Sequence, residues 1–166
     1  MAAESGVLRW VQPKWNQRRY ELRDANDATV ATLDYSGKRR ARPVFCFEGE
    51  ELEFQRRGFL KANVAIMRGE QEIASYTPKA TRADITFVNG RKFTLKRRKI
   101  FSSEHVISAS DNEEIMALKR TPRFLRAECT VTLSPSAYKY PETRVLMALT
   151  WYQMLAAAQA AVTAAS

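Results

Sequence analysis

Alternating apolar and polar residues fill most of the chain, from Gly6 to Leu133. Tyr20 and Leu22, for example, stand between charged residues, and an alternation of period two predicts a strand with one buried face. Polar or glycine-containing turn sequences separate these runs at short, regular intervals. We count eleven or twelve such strands and no long amphipathic helix among them. This spacing predicts an antiparallel meander that forms a sandwich or a barrel.

The strongest hairpin signal lies in the middle of the chain, where Asn89 and Gly90 separate two strand-like runs. Both residues tolerate the positive φ angles of a type I′ turn, so we expect a two-residue turn here. In the second run, Phe93 and Leu95 are expected to face the core. The next strand is predicted over Ile100–Ser108. The hairpin over residues 20–33 resembles the one over 105–118, about half the chain away, which suggests two related half-barrels.

The tail of the chain, Val145–Ser166, is the one segment with a different pattern, because its 22 residues carry no charge. Its large apolar side chains point all round a helix, whereas a surface helix has a single apolar stripe. Pro141 and Glu142 suit the first turn of such a helix, since proline has no N–H to lose there and a carboxylate favours the positive helix end. The helix must therefore be surrounded, either by lipid or by its own protein.

Two environments for the tail are consistent with its length and composition. A helix of this length spans about 33 Å, which is enough to cross a bilayer as a tail anchor. Alternatively, a barrel of about twelve strands is too wide for side chains alone to fill, and a helix can plug it. The bulky first half and the alanine-rich second half of the tail would then fit a tapering lumen. In that arrangement Leu149, Trp151, Tyr152 and Leu155 are buried by strand residues.

The predicted fold class is mainly β, an antiparallel barrel of about twelve strands that encloses a C-terminal hydrophobic α-helix. With 166 residues, the chain is most simply one domain. We expect that domain to span residues 7–166, with the core helix at about 142–165, after a flexible N-terminus at residues 1–6. Cys46 and Cys129 stand far apart in strand-like runs, which indicates small core residues in a reducing compartment rather than a disulfide. The N-terminus has no pattern of a signal peptide, so the cytoplasm is the expected location.

The motifs that catalysis or metal binding would require are not found in the sequence. His105 is the only histidine, and a lone strand histidine is usually packed or exposed rather than catalytic. There is no GxSxG, HExxH or P-loop pattern, and the glutamates around Gly49 do not have the spacing of an EF-hand. We therefore expect no enzyme activity, no catalytic residues, no cofactor and no metal site.

Charge is the strongest indication of a partner. The net charge is +9 and the pI about 9.8, which favours anionic partners. Two clusters are the candidate lipid-headgroup-binding residues, because long cationic side chains at strand ends can reach a phosphate. They are Lys38, Arg39, Arg40 and Arg42, and Lys96, Arg97, Arg98 and Lys99. Alternatively, these charges bind no ligand and only keep sheet edges from aggregating.

Several features of the layout together resemble the tubby-like group of proteins. They are some twelve strands in hairpins, polar turn-plus-strand units such as RDANDATVATL and RGEQEIASY, and an apolar helix after a proline-containing link. The group includes tubby C-terminal domains, phospholipid scramblases and the plant LURP-one-related proteins, and the compact length is most similar to the last of these and to bacterial members. The resemblance covers Val7 to Ala165. It implies a twelve-stranded barrel wound around a central C-terminal helix.

The resemblance also bears on function, because tubby domains bind phosphoinositides through basic side chains on the barrel. It implies a non-enzymatic barrel that binds anionic phospholipid at a membrane surface. The acidic calcium segment, palmitoylated cysteines and proline-rich region of scramblases are not recognisable here, which speaks against calcium-driven scrambling. Two alternatives stay open. One is nucleic-acid binding, in which Phe93, Phe101, Tyr138 and Tyr140 would stack on bases near the basic clusters. The other is a tail-anchored membrane protein.

Overall fold

A computed structural model describes residues 6–35, 42–58, 62–109, 112–122 and 125–165 of the chain. In these residues, twelve antiparallel strands form a closed barrel in which every strand pairs with its neighbours in sequence and the last strand pairs with the first. The predicted fold class is thereby confirmed. The strands are β1 (Val7–Val11), β2 (Arg19–Arg23), β3 (Thr29–Asp34), β4 (Val44–Phe47), β5 (Glu50–Arg57), β6 (Asn63–Arg68), β7 (Gln71–Pro78), β8 (Arg82–Phe87), β9 (Lys92–Arg97), β10 (Glu104–Ala109), β11 (Glu114–Thr121) and β12 (Glu128–Leu133).

The sequence alternation separates the inside of the barrel from the outside. In β2, Tyr20 and Leu22 are buried and Glu21 between them is only half-buried. Phe93 and Leu95 of β9 are likewise buried, as expected. Because successive strand side chains point to opposite faces, each strand contributes a row of apolar side chains to the lumen.

The turn between β8 and β9 differs from the predicted two-residue type I′ turn. The Gly90 N–H donates to the Phe87 carbonyl at 2.9 Å, and Phe87 N–H donates to the Arg91 carbonyl at 2.9 Å. Of Asn89 and Gly90, only Gly90 has a positive φ, at 89°. This is a type I turn followed by a residue in the left-handed region, the usual three-residue hairpin. The hairpin itself was predicted correctly. Its turn type, and with it the pairing of the two strands, depends on which turn residue has the positive φ.

The similarity between the hairpins over 20–33 and 105–118 is local. Both contain a bulge within the last three residues of their first strand, and so does the β6–β7 hairpin. The three bulged hairpins β2–β3, β6–β7 and β10–β11 stand four strands apart, whereas two half-barrels would place equivalents six strands apart. A β-bulge increases the twist of a sheet locally. Three bulges spaced evenly around the ring therefore help the sheet to close into a barrel.

One helix, α1 (Thr143–Ala164), enters the lumen after a short 3-10 helix at Pro135–Lys139. Leu149 and Trp151 are fully buried, and Tyr152 is buried too, whereas Leu155 is half-buried. Trp151 packs edge-on against Tyr20 of β2, with 5.7 Å between ring centroids. Strand residues therefore bury the first part of the helix, as predicted.

The alanine-rich second half of α1 does not fill the lumen, and that expectation was wrong. Most residues from Ala157 onward are exposed. The reason is length: a helix of 22 residues spans about 33 Å. The strands have four to eight residues, roughly 13–26 Å before tilting shortens their height. By length and composition Thr143–Ala164 also qualifies as a membrane span, yet half of its apolar window is buried inside the barrel.

The first turn of α1 is anchored by Glu142, whose carboxylate is almost fully buried. It accepts hydrogen bonds from the Asn89 side chain at 2.7 Å and from the Arg91 guanidinium at 2.9 and 3.1 Å. Burial acts to raise the pKa of Glu142, but the hydrogen bonds from Asn89 and Arg91 outweigh it, and the pKa lies below its ordinary value of 4.5. The charged carboxylate thus fastens the helix to the β8–β9 turn.

Replacing Glu142 by Gln is expected to lower the free energy of unfolding at neutral pH by about 1–3 kcal/mol, since a charge-assisted pair is lost. Because the folded-state pKa is depressed, this contribution is present above the ordinary carboxyl pKa and disappears as the pH falls through the folded-state pKa. Urea unfolding of both proteins over a pH series measures it. A stability gap that persists unchanged in strong acid contradicts this role for the charge.

Candidate functional site

The two ends of the barrel are defined by the direction of the strands. Consecutive strands are antiparallel, so all odd-numbered strands finish at one end and all even-numbered strands at the other. Helix α1 follows β12 and therefore enters at the end where even-numbered strands finish, which we call the entry end. Its exposed half leaves where odd-numbered strands finish, which we call the exit end. There Gln159 of α1 accepts a hydrogen bond from Arg18, which precedes β2.

Arginines at the entry end are largely neutralised by carboxylates. Salt bridges there link turns, strands and the start of α1, as between Arg91 and Glu142. The others are Arg9–Asp27, Arg23–Glu21, Arg68–Glu50 and Arg144–Glu48. Since each of these arginines has an acidic neighbour, and Lys92 alone of the described cations at this end forms no salt bridge, this end offers little net attraction to an anionic surface.

The exit end is different, because many of its cations have no carboxylate partner. Of the residues that the structure describes there, nine lysines and arginines form no salt bridge, although six other cations at the same end do. The nine are Lys14, Arg18, Arg56, Lys96, Arg97, Lys99, Lys119, Arg120 and Arg126. They lie near the ends of odd-numbered strands or in the adjoining loops. The positive charge of the chain is therefore concentrated, unpaired, at one end.

The four residues of the predicted cluster at the end of β9 have different environments in the structure. Lys96, Arg97 and Lys99 are exposed and form no salt bridge among the described residues. Arg98, in contrast, lies between two carboxylates, with nitrogen–oxygen distances of 2.7 Å to Glu104 and 2.6 Å to Glu114. Hydrogen bonding to Glu114 above all raises the pKa of Arg98. This guanidinium bridges parts of the barrel wall, so two carboxylates already balance its charge although its side chain is 40% exposed.

The second predicted cluster does not join the first among the described residues. Arg42 forms a salt bridge with Glu53, with a nitrogen–oxygen distance of 3.6 Å. It precedes β4, and β4 and β9 stand five strands apart in a ring of twelve. Lys38, Arg39 and Arg40 lie outside the described residues.

A groove of about 920 Å³ opens at the exit end, between α1 and strands β7 to β10. Apolar residues such as Leu95 and Ala157 form part of its wall, and Arg82 and Arg97 line its basic side. Arg97 lies directly opposite His105 in the β9–β10 pair. The groove thus combines positive charge at its edge with a partly apolar interior.

Two buried polar atoms in this groove have no hydrogen-bond partner among the described residues. They are Nδ1 of His105 and Nε2 of Gln153. Burial, assisted by the neighbouring charge of Arg97, lowers the pKa of His105, so the imidazole is neutral at pH 7. An amide donor and a neutral imidazole beside cations can bind a hydroxylated or anionic group. Sequence reasoning missed Gln153, because a single polar residue in an apolar helix carries no local signal of a site.

Four large apolar side chains in the exit-end loops are exposed to solvent, and Val162 on the exposed half of α1 is exposed at the same end. Trp15 is 62% exposed, Ile100 80%, Phe101 99% and Leu125 63%. The predicted strand Ile100–Ser108 was too long, because β10 begins at Glu104 and a turn places Ile100 and Phe101 in a loop. The Ser102-Ser103 pair that follows was the available signal, since serine favours turns.

The other residues that could bind a metal or react have structural roles instead. Among the residues that are described, no three or more His, Cys, Asp or Glu side chains form a group that could hold a metal ion. Three of the acidic residues around Gly49 take part in ion pairs, Glu48 with Arg144, Glu50 with Arg68 and Glu53 with Arg42. Both cysteines are free thiols, and burial raises the pKa of Cys129 to about 12. That thiol is protonated at neutral pH and unreactive.

The aromatic residues that the nucleic-acid alternative requires are dispersed in the structure. Phe93 is buried in the barrel, and Tyr138 and Tyr140 lie at the entry end. Of these four aromatic residues, Phe101 alone is exposed beside cations that form no salt bridge among the described residues. Comparisons of the chain with protein-family models, with curated proteins and with solved structures find no match.

Proposed function

We propose that this protein is a non-enzymatic β-barrel that binds the surface of an anionic phospholipid membrane peripherally, through its exit end. The observation that carries the proposal is the concentration of nine unpaired cations at that end, against an entry end whose arginines are paired. A planar anionic surface can meet the exit-end loops together, because they project from one end of a single rigid barrel.

The magnitude of the attraction suits reversible binding. Each lysine or arginine close to an anionic leaflet contributes about 1 kcal/mol. If four or five of the nine reach the surface at once, the total of about 4–5 kcal/mol is enough for peripheral attachment and is weakened by salt. The cytoplasmic leaflet carries anionic lipids, which agrees with the expected cytoplasmic location.

The groove and the fold support the same proposal. A phosphate that enters the groove would meet Arg97 and Arg82, and its attached hydroxyls would meet His105 and Gln153. We also propose that the chain is a compact relative of the tubby-like group, on the strength of the barrel wound around its C-terminal helix. Phosphoinositide binding by tubby domains points to lipid headgroups as the ligand class.

Vesicle flotation tests the proposal directly. The protein is expected to float with vesicles that contain phosphatidylserine or phosphatidylinositol phosphates, and to stay unbound with phosphatidylcholine alone. Binding should fall steeply as salt rises, because screening shortens the reach of the exposed charges. Failure to bind anionic vesicles at low salt overturns the proposal.

The two alternatives are tested with the same purified chain. A gel shift with unrelated nucleic-acid sequences at physiological salt would favour the nucleic-acid alternative, and the absence of a shift would count against it. Solubility of the full-length chain without detergent would count against a tail anchor. The burial of Leu149 and Trp151 by strand residues already favours the barrel over the tail anchor.

A further inference from the structure

Apart from Val162 on α1, the four exposed large apolar residues of the exit end lie on three loops that are neighbours around the barrel. Strands β9, β10, β11, β12, β1 and β2 are consecutive in the closed sheet. The β9–β10 loop carries Ile100 and Phe101, the β11–β12 loop carries Leu125, and the β1–β2 loop carries Trp15. We infer that these three loop tips insert into the interfacial region of an anionic bilayer and dock this side of the exit end against it, an inference that rests on the proposed function.

Ile100 and Phe101 form the apex of their loop. The Ser102 N–H donates to the Lys99 carbonyl at 3.0 Å, so the two residues occupy the central positions of a tight turn. Glycine, proline, asparagine and aspartate are the usual residues there. Two large apolar side chains at this place, 80% and 99% exposed, gain nothing from the fold of the barrel. They gain free energy only when another phase removes them from water.

Gln12, just after β1, joins the two loops that carry Trp15 and Leu125. The Gln12 side chain donates to the Gln17 carbonyl at 2.8 Å and accepts from the Ala127 N–H at 3.0 Å, which ties the β1–β2 loop to the β11–β12 loop. Trp15 is central to a turn closed by Gln17 N–H and the Lys14 carbonyl at 3.1 Å. The two tips are therefore presented together by a fixed support.

Leu125 is in a conformation that a branched side chain rarely adopts. Its φ is +68°, in the left-handed region that favours glycine. The leucine is nevertheless 63% exposed, so burial in the barrel does not offset the strain. Backbone strain of this kind concentrates at binding sites, and here it directs an apolar side chain outward.

The charges beside the tips identify the occupant as an anionic bilayer. Each tip adjoins an unpaired cation in the sequence: Lys14 precedes Trp15, Lys99 precedes Ile100, and Arg126 follows Leu125. Apolar residues enter the boundary between headgroups and acyl chains, while lysine and arginine keep their charge at the headgroups. A protein partner would need acidic groups at three separated positions, whereas a lipid surface supplies negative charge everywhere.

Quenching of tryptophan fluorescence by lipids with brominated acyl chains tests the inference. Trp15 is exposed, whereas Trp10 and Trp151 are fully buried, so insertion is expected to quench Trp15 selectively in anionic vesicles. The Trp15→Phe variant reports the background from the buried tryptophans. In parallel, Ile100→Ser combined with Phe101→Ser should weaken vesicle binding at least about tenfold and remove the salt-resistant part of it.

Val88→Ser is the matched control, because Val88 is 69% exposed in a turn at the entry end. This variant should bind vesicles like the unmodified protein. Thermal unfolding checks that all variants fold, which is expected since the changed side chains are exposed. If anionic vesicles bind but brominated lipids quench no more than in Trp15→Phe, or if the double serine variant binds normally, the inference fails and the proposed function stands.

Two further results also overturn the inference. If no anionic vesicle binds, both the proposed function and the insertion of the loops are lost. If the double serine variant instead converts a dimer to a monomer in sedimentation without lipid, the tips are a contact between copies of this chain.

Discussion

Replacing Leu149 by Asp is expected to unfold the whole domain rather than to impair a single site. Leu149 lies on the first half of α1 with a side chain that is 0% exposed, enclosed by the barrel. The substitution removes a buried apolar side chain, which alone costs about 2–5 kcal/mol. It also places a carboxylate in the lumen, where the charge must be neutralised or hydrated at a cost of several kcal/mol more. The sum is comparable to the whole stability of a domain, about 5–15 kcal/mol.

Two further substitutions in α1, one in its buried half and one in its exposed half, distinguish a role in the barrel core from a role as a membrane anchor. Leu149→Ala should leave a folded protein with a free energy of unfolding lower by about 2–5 kcal/mol. Ala160→Asp, on the exposed half of the same helix, should cost at most about 1 kcal/mol, mainly because an anion near the helix C-terminus is unfavourable. Circular dichroism and urea unfolding measure all three. A Leu149→Asp protein that folds normally and merely leaves a membrane fraction contradicts the enclosed helix.

The fold was largely predictable because its signals are local and repeated. Alternating apolar and polar residues identify each strand separately. The uncharged tail must be enclosed, either by lipid or by its own protein. The point at which α1 leaves the barrel was not predictable in the same way. It depends on the height of the closed sheet, which follows from strand lengths and tilt around the whole ring. The residues around Ala157 are apolar enough for either environment, so composition alone could not place them.

The candidate site was less predictable, because it depends on which charges are already neutralised. Lys96 and Arg98 belong to the same basic run, yet Arg98 is paired with Glu104 and Glu114, and Glu114 lies on a strand two positions away in the sheet. Such pairing across strands has no signature in the local sequence. The apolar tip of Ile100 and Phe101 was missed for a related reason, since two apolar residues in sequence resemble the start of a strand until the turn is seen.

Removing the charges of Lys96, Arg97 and Lys99 together is expected to weaken binding to anionic vesicles about 100-fold. At about 1 kcal/mol for each cation, the three contribute about 3 kcal/mol. Arg98 is left in place, because its loss would disturb the barrel wall. The triple alanine variant should also show a shallower dependence of binding on salt, since fewer charges are screened. Flotation over a range of lipid concentrations at two salt levels measures both effects.

A charge-matched variant tests whether position or merely net charge decides binding. Arg68, Lys92 and Lys139 lie at or near the entry end, and replacing all three by alanine lowers the net charge equally. If the exit end docks on the membrane, this second variant should bind within about threefold of the unmodified protein, because its changes are a barrel's height from the surface, beyond a Debye length of about 8–10 Å. Equal losses in the two variants would mean that long-range attraction to the whole chain, rather than a directed face, accounts for binding.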